Sequence, residues 1–500
     1  MSSGLTALPT ECRTDKRETT GATLLAIFLF TIIVVLVFCG TLFDLVSGRW
    51  QKQKWVSTLQ GVLGQTLLAF SVLLNGSKIL DISQPPGSLT AINGIRFITL
   101  TWVLLGHNYG FGSSSASNAV SEVVIHYKTW TADVIFNGTL AVDTFFTLSG
   151  LLVAYVTTKE IAMKGAKFNL GLFYLHRYLR LTPPYMLVLV GMLGLQRFMG
   201  SGALWATVQP SVQKYCEENW WTNLLYLNNV VNADRTCFGH FWYLAADMQY
   251  YLFSPLILLP FFYNISAGMI SWGFFLSLQW ISTFALSYHN QWSPALFGLG
   301  IKVKPGSLDY NVSYYVTPHC RMGPYLVGLL AGYLLATCNG RLRLDKFNVF
   351  LCWLLSVMAA LGIVYGIHGD ISGENISSVA VAALYNAFAR TAWGVCVSWV
   401  IIACSSGYGG PVNALLSWSP FVPLSRLTYM AYLVHPCVFS VYYGNQETLY
   451  NLNFVTFTVS YLGLLSFTYM ISFVLVLGLE SPWITLKKCF LKKQRTLKSF

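Results

Sequence analysis

The sequence predicts an all-α protein, a polytopic membrane helix bundle of about 11 transmembrane helices. Of its 500 residues, 55% are hydrophobic and 10% are charged, whereas about a quarter of the residues in a soluble globular domain are charged. Apolar runs of roughly the 20 residues that a helix needs to cross a bilayer recur along the whole chain. The aromatic content of 15% suits rings at the membrane interfaces.

Four segments are predicted along the chain. Residues 1–21 form a short polar N-terminus, and residues 22–91 contain the first span and a polar connecting segment. Residues 92–480 form the membrane domain, and residues 481–500 form a basic tail. Most of the chain is thus assigned to one membrane domain.

The first span is predicted from Gly21 to Leu45, which is too long for the apolar core of a signal peptide and shows no cleavage site. The weaker patch from Gly61 to Leu74 contains glycine and favours a helix that lies in the membrane interface. The later spans are predicted from the length of their apolar runs. They lie near 92–111, 136–157, 183–199, 241–262, 269–288, 322–338, 348–367, 379–404, 425–444 and 454–478.

The distribution of Lys and Arg orients these spans, since cytosolic loops carry an excess of basic residues. When the connection 47–91 is placed in the cytosol, the basic segments 159–180 and 341–346 and the C-terminal tail fall on the same side. The C-terminus is therefore predicted to be cytosolic, in the endoplasmic reticulum or the plasma membrane. The net charge of +12 follows from this topology, so no nucleic-acid partner is expected.

The opposite, lumenal side is oxidising and open to glycosylation. Cys216 and Cys237 lie in its long loop, so we predict that they form a disulfide, with two free thiols as the alternative. Asn137, Asn311 and Asn375 begin Asn-x-Ser/Thr sequons in or beside lumenal segments and are predicted glycosylation sites. No Cys/His spacing resembles a metal site, so no metal is expected.

The segment from Ile92 to Phe111 combines the apolar length of a span with two ionisable side chains, Arg96 and His107. Ionisable groups are costly at membrane depth, and such residues mark functional sites. Eleven residues make about three helical turns, so both side chains lie on nearly one face, about 16 Å apart along the axis. One elongated ligand could contact both. The alternative is a packed histidine and an arginine that snorkels to the interface.

Further ionisable residues follow in the next spans. Asp143 lies near the lumenal start of the third span, where it could orient an imidazole or interact with the helix dipole. Arg177 and Arg180 are three residues apart and are neighbours on a helix. On the cytosolic side this pair suits phosphate groups, with membrane anchoring as the alternative.

Polar side chains at membrane depth continue to the end of the chain. Tyr243 and Asp247 share one helix face, and Gln249 follows them. Later segments add Arg321, Arg426 and His435. Scattered singly, such groups would only link helices by hydrogen bonds. Their concentration favours a shared polar chamber.

Several motifs together resemble the membrane-bound acyltransferase 3 family. They are R-x10-H in an early span, V-D-x-F-F-x-L-S-G in the next, and R-x-x-R before a proline-containing span. The segments NGIR…WVLLGHNY, CEENWWTNLLYLNN…C, HFWYLAADMQ, RMGPYLVG and YLVHP are similar to its animal branch, the nose-resistant-to-fluoxetine proteins. The resemblance extends from about Leu74 to Trp483. That branch usually has a cysteine-rich lumenal domain before the first span, for which residues 1–21 are too short.

The resemblance implies transfer of an acyl group from cytosolic acyl-CoA to a hydroxyl or amine of an acceptor such as a lipid or sterol. It makes His107 the general base, because an imidazole titrates near working pH, and Asp143 its orienting carboxylate. The donor's phosphates would be held by Arg96, Arg177 and Arg180. The acyl acceptor would be positioned by Tyr243, Asp247, Gln249 and His435.

Two other functions remain open at this point. A bundle with internal charges also suits a lipid or small-molecule transporter, although no inverted repeat is evident. A catalytically silent membrane regulator could keep the same fold, but it would have no need of the intact R-x10-H motif. Membrane lipids are the expected partners in every case.

Overall fold

The computed structural model describes residues 18–49, 62–85, 87–165, 168–202 and 204–487. Within these ranges the chain is helical and forms no β-strand. Most of the predicted polar N-terminus, part of the first connection and most of the basic tail lie outside the described residues.

Twelve helices of 15 residues or more are present in the described part of the chain. They are α1 (Gly21–Arg49), α2 (Ala91–Ser114), α3 (Leu140–Lys164), α4 (Leu170–Leu195), α5 (Trp205–Leu224), α6 (Trp242–Tyr263), α7 (Ile265–Asn290), α8 (Gly323–Thr337), α9 (Lys346–Tyr365), α10 (Val379–Ser406), α11 (Phe421–Gly444) and α12 (Phe454–Leu475). All except α5 stand where a span is predicted. Short helices include Val62–Leu68, Val72–Leu80, Ala119–Tyr127 and Gly410–Leu416.

Seven helices of the described ranges are long and apolar enough to cross a membrane. They are Gly21–Ser47, Trp130–Met163, Leu170–Phe198, Ile265–Asn290, Lys346–Ser372, Val379–Ser406 and Phe454–Lys487. The predicted count of about eleven is therefore not confirmed. The other four positions hold α8, which has only 15 residues, and the helices α2, α6 and α11, which carry His107, Asp247 and His435.

Helices α3 and α8 approach each other backbone to backbone. A Cβ added to Gly328 or Gly332 of α8 would collide with the backbone of Thr147 or Leu151 of α3, and one on Gly150 would collide with the Tyr325 carbonyl. In a bilayer, close packing of small residues holds helices together because lipid tails remove the hydrophobic driving force. The glycine of the V-D-x-F-F-x-L-S-G motif, Gly150, thus has a packing role.

Segments predicted for the same side of the membrane meet in the structure. At one end, Lys487 donates from Nζ to the carbonyl of His176 at 2.5 Å. At the other end, the backbone N–H of Ser117 donates to the carbonyl of Tyr450 at 2.8 Å. The loops therefore fall into the two predicted groups, and the placement of the first group in the cytosol stays a prediction.

Arg426 lies at the first of these ends and not in the predicted polar chamber. Its Nη1 donates to the carbonyls of Lys78 and Ile79 at 2.7 and 2.9 Å. These carbonyls belong to the last turn of the helix Val72–Leu80. A helix leaves its last carbonyls without backbone donors, and Arg426 caps them.

The predicted disulfide is confirmed. Cys216 of α5 and Cys237 are bonded, their Cα atoms are 4.3 Å apart, and both residues are fully buried. The bond ties α5 to the short turn Gly239–Phe241 that precedes α6. This turn contributes a side chain to the interior, as described below.

The structure contradicts the predicted glycosylation of Asn137. Its side chain is 7% exposed, and its amide nitrogen donates to the carbonyl of Val364 at 2.6 Å. That amide would have to be free to carry a glycan. Asn311 and Asn375 are exposed, and their glycosylation stays a prediction.

Candidate active site

Two histidines from distant parts of the chain meet in the interior. His107 of α2 and His435 of α11 form a hydrogen bond of 3.1 Å between Nδ1 of His107 and Nε2 of His435. His435 is fully buried, whereas His107 is half-buried. His107 therefore keeps some exposed surface, whereas His435 is enclosed behind it.

The backbone next to His435 determines which ring nitrogens carry protons. Pro436 has no N–H, so the carbonyl four residues before it, at Tyr432, loses its usual helical donor. Nδ1 of His435 takes that place and lies 2.8 Å from the carbonyl oxygen. A carbonyl only accepts, so this Nδ1 carries a proton and the Nε2 of neutral His435 accepts from His107. The Nδ1 of neutral His107 is then protonated, and its Nε2 keeps a free lone pair.

A third histidine, which the sequence analysis gave no role, completes the group. His240 lies in the turn Gly239–Phe241, and its Nε2 donates to the carbonyl of Leu433 at 3.1 Å. Its ring is 5.6 Å from the ring of His435, and its own carbonyl accepts the hydroxyl of Tyr432 at 2.5 Å. The HFWYLAADMQ segment was the available signal, since it places an imidazole at the start of a span. No group of His, Cys, Asp and Glu in the described ranges has a metal-binding arrangement.

The structure contradicts the prediction that Asp143 orients His107. The Asp143 carboxylate is fully buried and accepts from Arg321 through Oδ1 at 2.9 and 3.1 Å. Its other oxygen, Oδ2, accepts from Nη1 of Arg390 at 2.7 Å. Both arginine side chains bind this carboxylate at the same time. His435, and not Asp143, is the residue that is hydrogen-bonded to His107.

Arg177 and Asp247 also have partners other than those predicted. They form an ion pair with each other across α4 and α6, and Arg177 donates to the Ser149 hydroxyl at 3.2 Å. The Arg177 guanidinium also stacks over the Tyr251 ring at 4.3 Å. Asp247 compensates the charge of Arg177, and the predicted contacts of Arg177 with the donor's phosphates and of Asp247 with the acyl acceptor stay predictions.

Gln249 holds a loop and does not face the histidines. Its Nε2 donates to the carbonyl of Tyr226 and to Oδ1 of Asn229, both at 2.8 Å. Nδ2 of Asn229 donates back to Oε1 of Gln249 at 3.2 Å. The side chain is engaged by this loop, and its predicted contact with the acyl acceptor stays a prediction.

Arg96 and Arg180 remain available for a ligand. Arg96 is half-buried and Arg180 is exposed, and the two guanidiniums interact electrostatically. Within the described residues neither has a hydrogen bond or an ion pair. Two like charges this close attract an anion, and guanidinium groups bind phosphate oxygens in a bidentate manner.

Tyr243 lies between Arg96 and the residues around His435. Its ring packs against Phe146 at 5.0 Å and against Tyr432 at 5.3 Å. It interacts electrostatically with Arg96. Its predicted role in acceptor binding stays a prediction, because the ring reaches both Arg96 and the residues around His435.

The apolar helices, with histidines and arginines in their interior, define a multi-pass membrane protein. Residues 89–477 match the acyltransferase 3 family, described as an acyltransferase domain. The chain belongs to this family.

Two nematode proteins and one bacterial protein illustrate its relatives. The chain is 32% identical to Nose resistant to fluoxetine protein 6 of Caenorhabditis elegans over 94% of its own length and 60% of that protein. It is 24% identical to Regulator of hypoxia-inducible factor 1 of the same species over 71% of both chains. A Staphylococcus aureus protein named as an O-acetyltransferase is 27% identical over 40% of this chain and 33% of its own. No solved structure matches.

Proposed function

We propose that this protein is an acyl-CoA-dependent acyltransferase that acylates a hydroxyl or an amine group, with His107 as the general base. The observation that carries the proposal is the hydrogen bond between His107 and His435, because it leaves the Nε2 lone pair of His107 free in a half-buried space. A general base needs such a lone pair within reach of the proton that it removes. The name of the bacterial relative supports a hydroxyl as the first group to test.

The proposed step is direct transfer without an acyl-enzyme. His107 takes the hydroxyl proton on Nε2 while the hydroxyl oxygen attacks the thioester carbonyl carbon. The tetrahedral intermediate then expels the CoA thiolate as the C–S bond breaks, and an ester forms. The proton on His107 passes to the thiolate, which restores the neutral base. The bond from His107 Nδ1 to His435 stabilises the imidazolium that exists between these two proton transfers.

The donor's phosphates are assigned to Arg96 and Arg180. Arg96 has no carboxylate partner among the residues described. Arg180 is exposed at the end of the bundle that is predicted to be cytosolic, where the Glu480 carboxyl interacts with it electrostatically. His107 is 11 residues from Arg96 along α2, which is about 16 Å. An extended donor could place its phosphates at the arginines and its thioester at the histidine.

The experiment is acetyl transfer from labelled acetyl-CoA in membranes, comparing the unchanged protein with His107→Ala at equal expression. The matched control is His289→Ala, since this histidine is exposed at the end of α7. We expect label to reach a membrane lipid, a sterol or a protein with the unchanged chain and the control, and not with His107→Ala. Equal transfer by His107→Ala would exclude this base. No transfer with any donor in a broad panel would favour a transporter or a silent regulator.

The compartment belongs to the same proposal. The basic segments support a cytosolic C-terminus, and the Cys216–Cys237 bond supports an oxidising environment at the opposite end. Both agree with the endoplasmic reticulum or the plasma membrane. Protease protection of a C-terminal tag in sealed microsomes tests the orientation: the tag should be digested without detergent.

A further inference from the structure

Two buried arginines share a single carboxylate at the lumenal end of the bundle. Asp143 and Arg321 have no exposed side-chain surface, and the Arg390 side chain is 10% exposed. Asp143 lies in the first turn of α3, Arg321 just before α8, and Arg390 within α10. We call these three residues the arginine cluster.

The arginine cluster carries one positive charge more than its carboxylate compensates. The nearby buried acid Asp370 accepts from the backbone and the hydroxyl of Ser377 at 2.9 and 2.6 Å and pairs with neither arginine. Asp133, another buried acid, pairs with His368 at 3.0 Å. A buried charge without a counterion is expensive, and at membrane depth such charges are kept for function.

One donor in the cluster is unused. Arg321 engages Nε and Nη2 with Asp143 and Nη1 with the carbonyl of Tyr315 at 3.2 Å. Arg390 engages Nη1 with Asp143 and Nε with the Tyr314 hydroxyl at 3.1 Å. Its Nη2 has no hydrogen bond of good geometry in the part of the chain that the structure describes, and the Tyr310 hydroxyl lies beside the same guanidinium. The excess charge and the unused N–H groups thus belong to the same side chain.

The cluster lies at nearly the depth of His107. Trp393 of α10 packs on Trp102 of α2 with ring centroids 5.7 Å apart, which sets a common level for the two antiparallel helices. His107 is five residues beyond Trp102 and Arg390 three residues before Trp393. These spacings place His107 about 7.5 Å and Arg390 about 4.5 Å towards the lumenal end from that level.

Aromatic rings connect the cluster to the histidines. Arg321 and Arg390 lie over the Tyr315 ring at 4.7 and 5.7 Å. Tyr315 interacts electrostatically with Tyr432, whose ring is 5.7 Å from the ring of His435. A small molecule beside His107 would thus find the cluster beside it, at nearly the same depth and on the far side of the aromatic rings.

We propose that the arginine cluster binds an anionic group of the acyl acceptor, a carboxylate or a phosphate, through Nη2 of Arg390. The identity of the bound molecule as the acyl acceptor rests on the proposed function, whereas the binding of an anion does not require catalysis. The donor's phosphates would then be held at Arg96 and Arg180, and the acceptor's anion near the depth of His107. The acyl acceptor would be an anionic, hydroxyl-bearing molecule, in contrast to a neutral sterol.

The test measures binding of glycerate, glycerol 3-phosphate and glycerol at matched ionic strength to the full chain in nanodiscs. Three probes with similar hydroxyl groups separate a carboxylate, a phosphate and no charge. Quenching of tryptophan fluorescence is a suitable readout, because Trp242 lies 5.3 Å from the Arg321 guanidinium. We expect at least one of the anions to bind about tenfold or more tightly than glycerol, as for a hydrogen bond to a charged group. Equal binding of all three probes would overturn the proposal.

Substitutions of single arginines show which residue is responsible for the preference for an anionic probe. Arg390→Gln should remove the preference for the anion, whereas Arg235→Gln, at a lumenal arginine that is 63% exposed, should keep it. If Arg390→Gln does not fold, Arg390→Lys keeps the charge and loses Nη2, and the preference should still fall about tenfold. An unchanged preference in the folded Arg390 variant would refute the assignment.

The same titration in His107→Ala separates this inference from the proposed function. Selective anion binding that persists in His107→Ala and disappears in the Arg390 variant supports the site even if no acyl transfer is found. Acyl transfer without any preference for anionic probes would support the enzyme and overturn the site.

Discussion

Replacing His435 by alanine tests whether His435 determines which ring nitrogen of His107 carries the proton. His435 is fully buried, and its Nε2 accepts the bond from His107 at 3.1 Å. A hydrogen bond between neutral groups contributes about 1 kcal/mol, and one to a charged group about 1.5–3 kcal/mol. Because His107 is charged only after it takes the proton, the difference between these values is lost from the transition state.

That difference is about 0.5–2 kcal/mol, and about 1.36 kcal/mol corresponds to a tenfold change in rate. The bond itself therefore accounts for about 2- to 30-fold in kcat. A ring that is free to turn adds to the loss, since misplacing a catalytic group by about 1 Å can cost about 100-fold. We expect His435→Ala to lower kcat by about 10- to 100-fold, with KM for the donor unchanged.

The assay is the initial rate of acetyl transfer in proteoliposomes that contain equal amounts of monodisperse protein. His435→Gln is the matched variant, because the Gln carbonyl can accept from His107 Nδ1 where the imidazole Nε2 did. Part of the lost rate should return in His435→Gln. A wild-type rate in His435→Ala, or a Gln variant no faster than Ala, would refute the proton assignment.

Three further outcomes are expected. Arg177→Gln should lower the melting temperature, because a buried Asp247 carboxylate without its partner costs about 3–5 kcal/mol. Adding Asp247→Asn should restore much of the lost stability. Equal melting temperatures of the single and the double variant would contradict the pairing. Gly332→Val should reduce the yield of folded protein, whereas Gly362→Val, with open space around its Cα, should not. Asn137→Gln should leave the glycosidase-sensitive gel mobility unchanged, and a mobility shift would mean that this side chain is accessible.

Hydropathy and apolar length predicted the positions of the helices better than the number of membrane-crossing helices. A helix stands at each of the eleven predicted positions, but α2, α6, α8 and α11 do not meet the requirements for a membrane-crossing helix. The helix α8 fails on length alone, since it has only 15 residues, whereas α3, α4 and α10 pass although they carry Asp143, Arg177 and Arg390. Ionisable side chains at depth therefore do not decide which helices meet the requirements.

The sequence identified polar residues at depth but could not identify their partners. The spacing of Arg96 and His107 within one helix is a local property, and the helix is found as predicted. The partner of Asp143 is 178 residues away at Arg321, and that of His107 is 328 residues away at His435. Such pairs depend on how helices pack, which hydrophobic patterning leaves open. A carboxylate near a histidine in a motif is therefore weak support for a dyad.

Pro436 has a consequence for when the active-site protons are placed. The tautomer of His435 depends on a carbonyl that is free because one backbone nitrogen carries no hydrogen. This arrangement is complete before any substrate enters, and it needs no side chain to move when the reaction begins. The cost of orienting these groups is met during folding and not during the reaction. Dipoles that are already oriented can accelerate a reaction without reorganisation. Under the proposed mechanism, the route of the proton is thus decided as the chain folds, by a hydrogen atom that the nitrogen of Pro436 lacks.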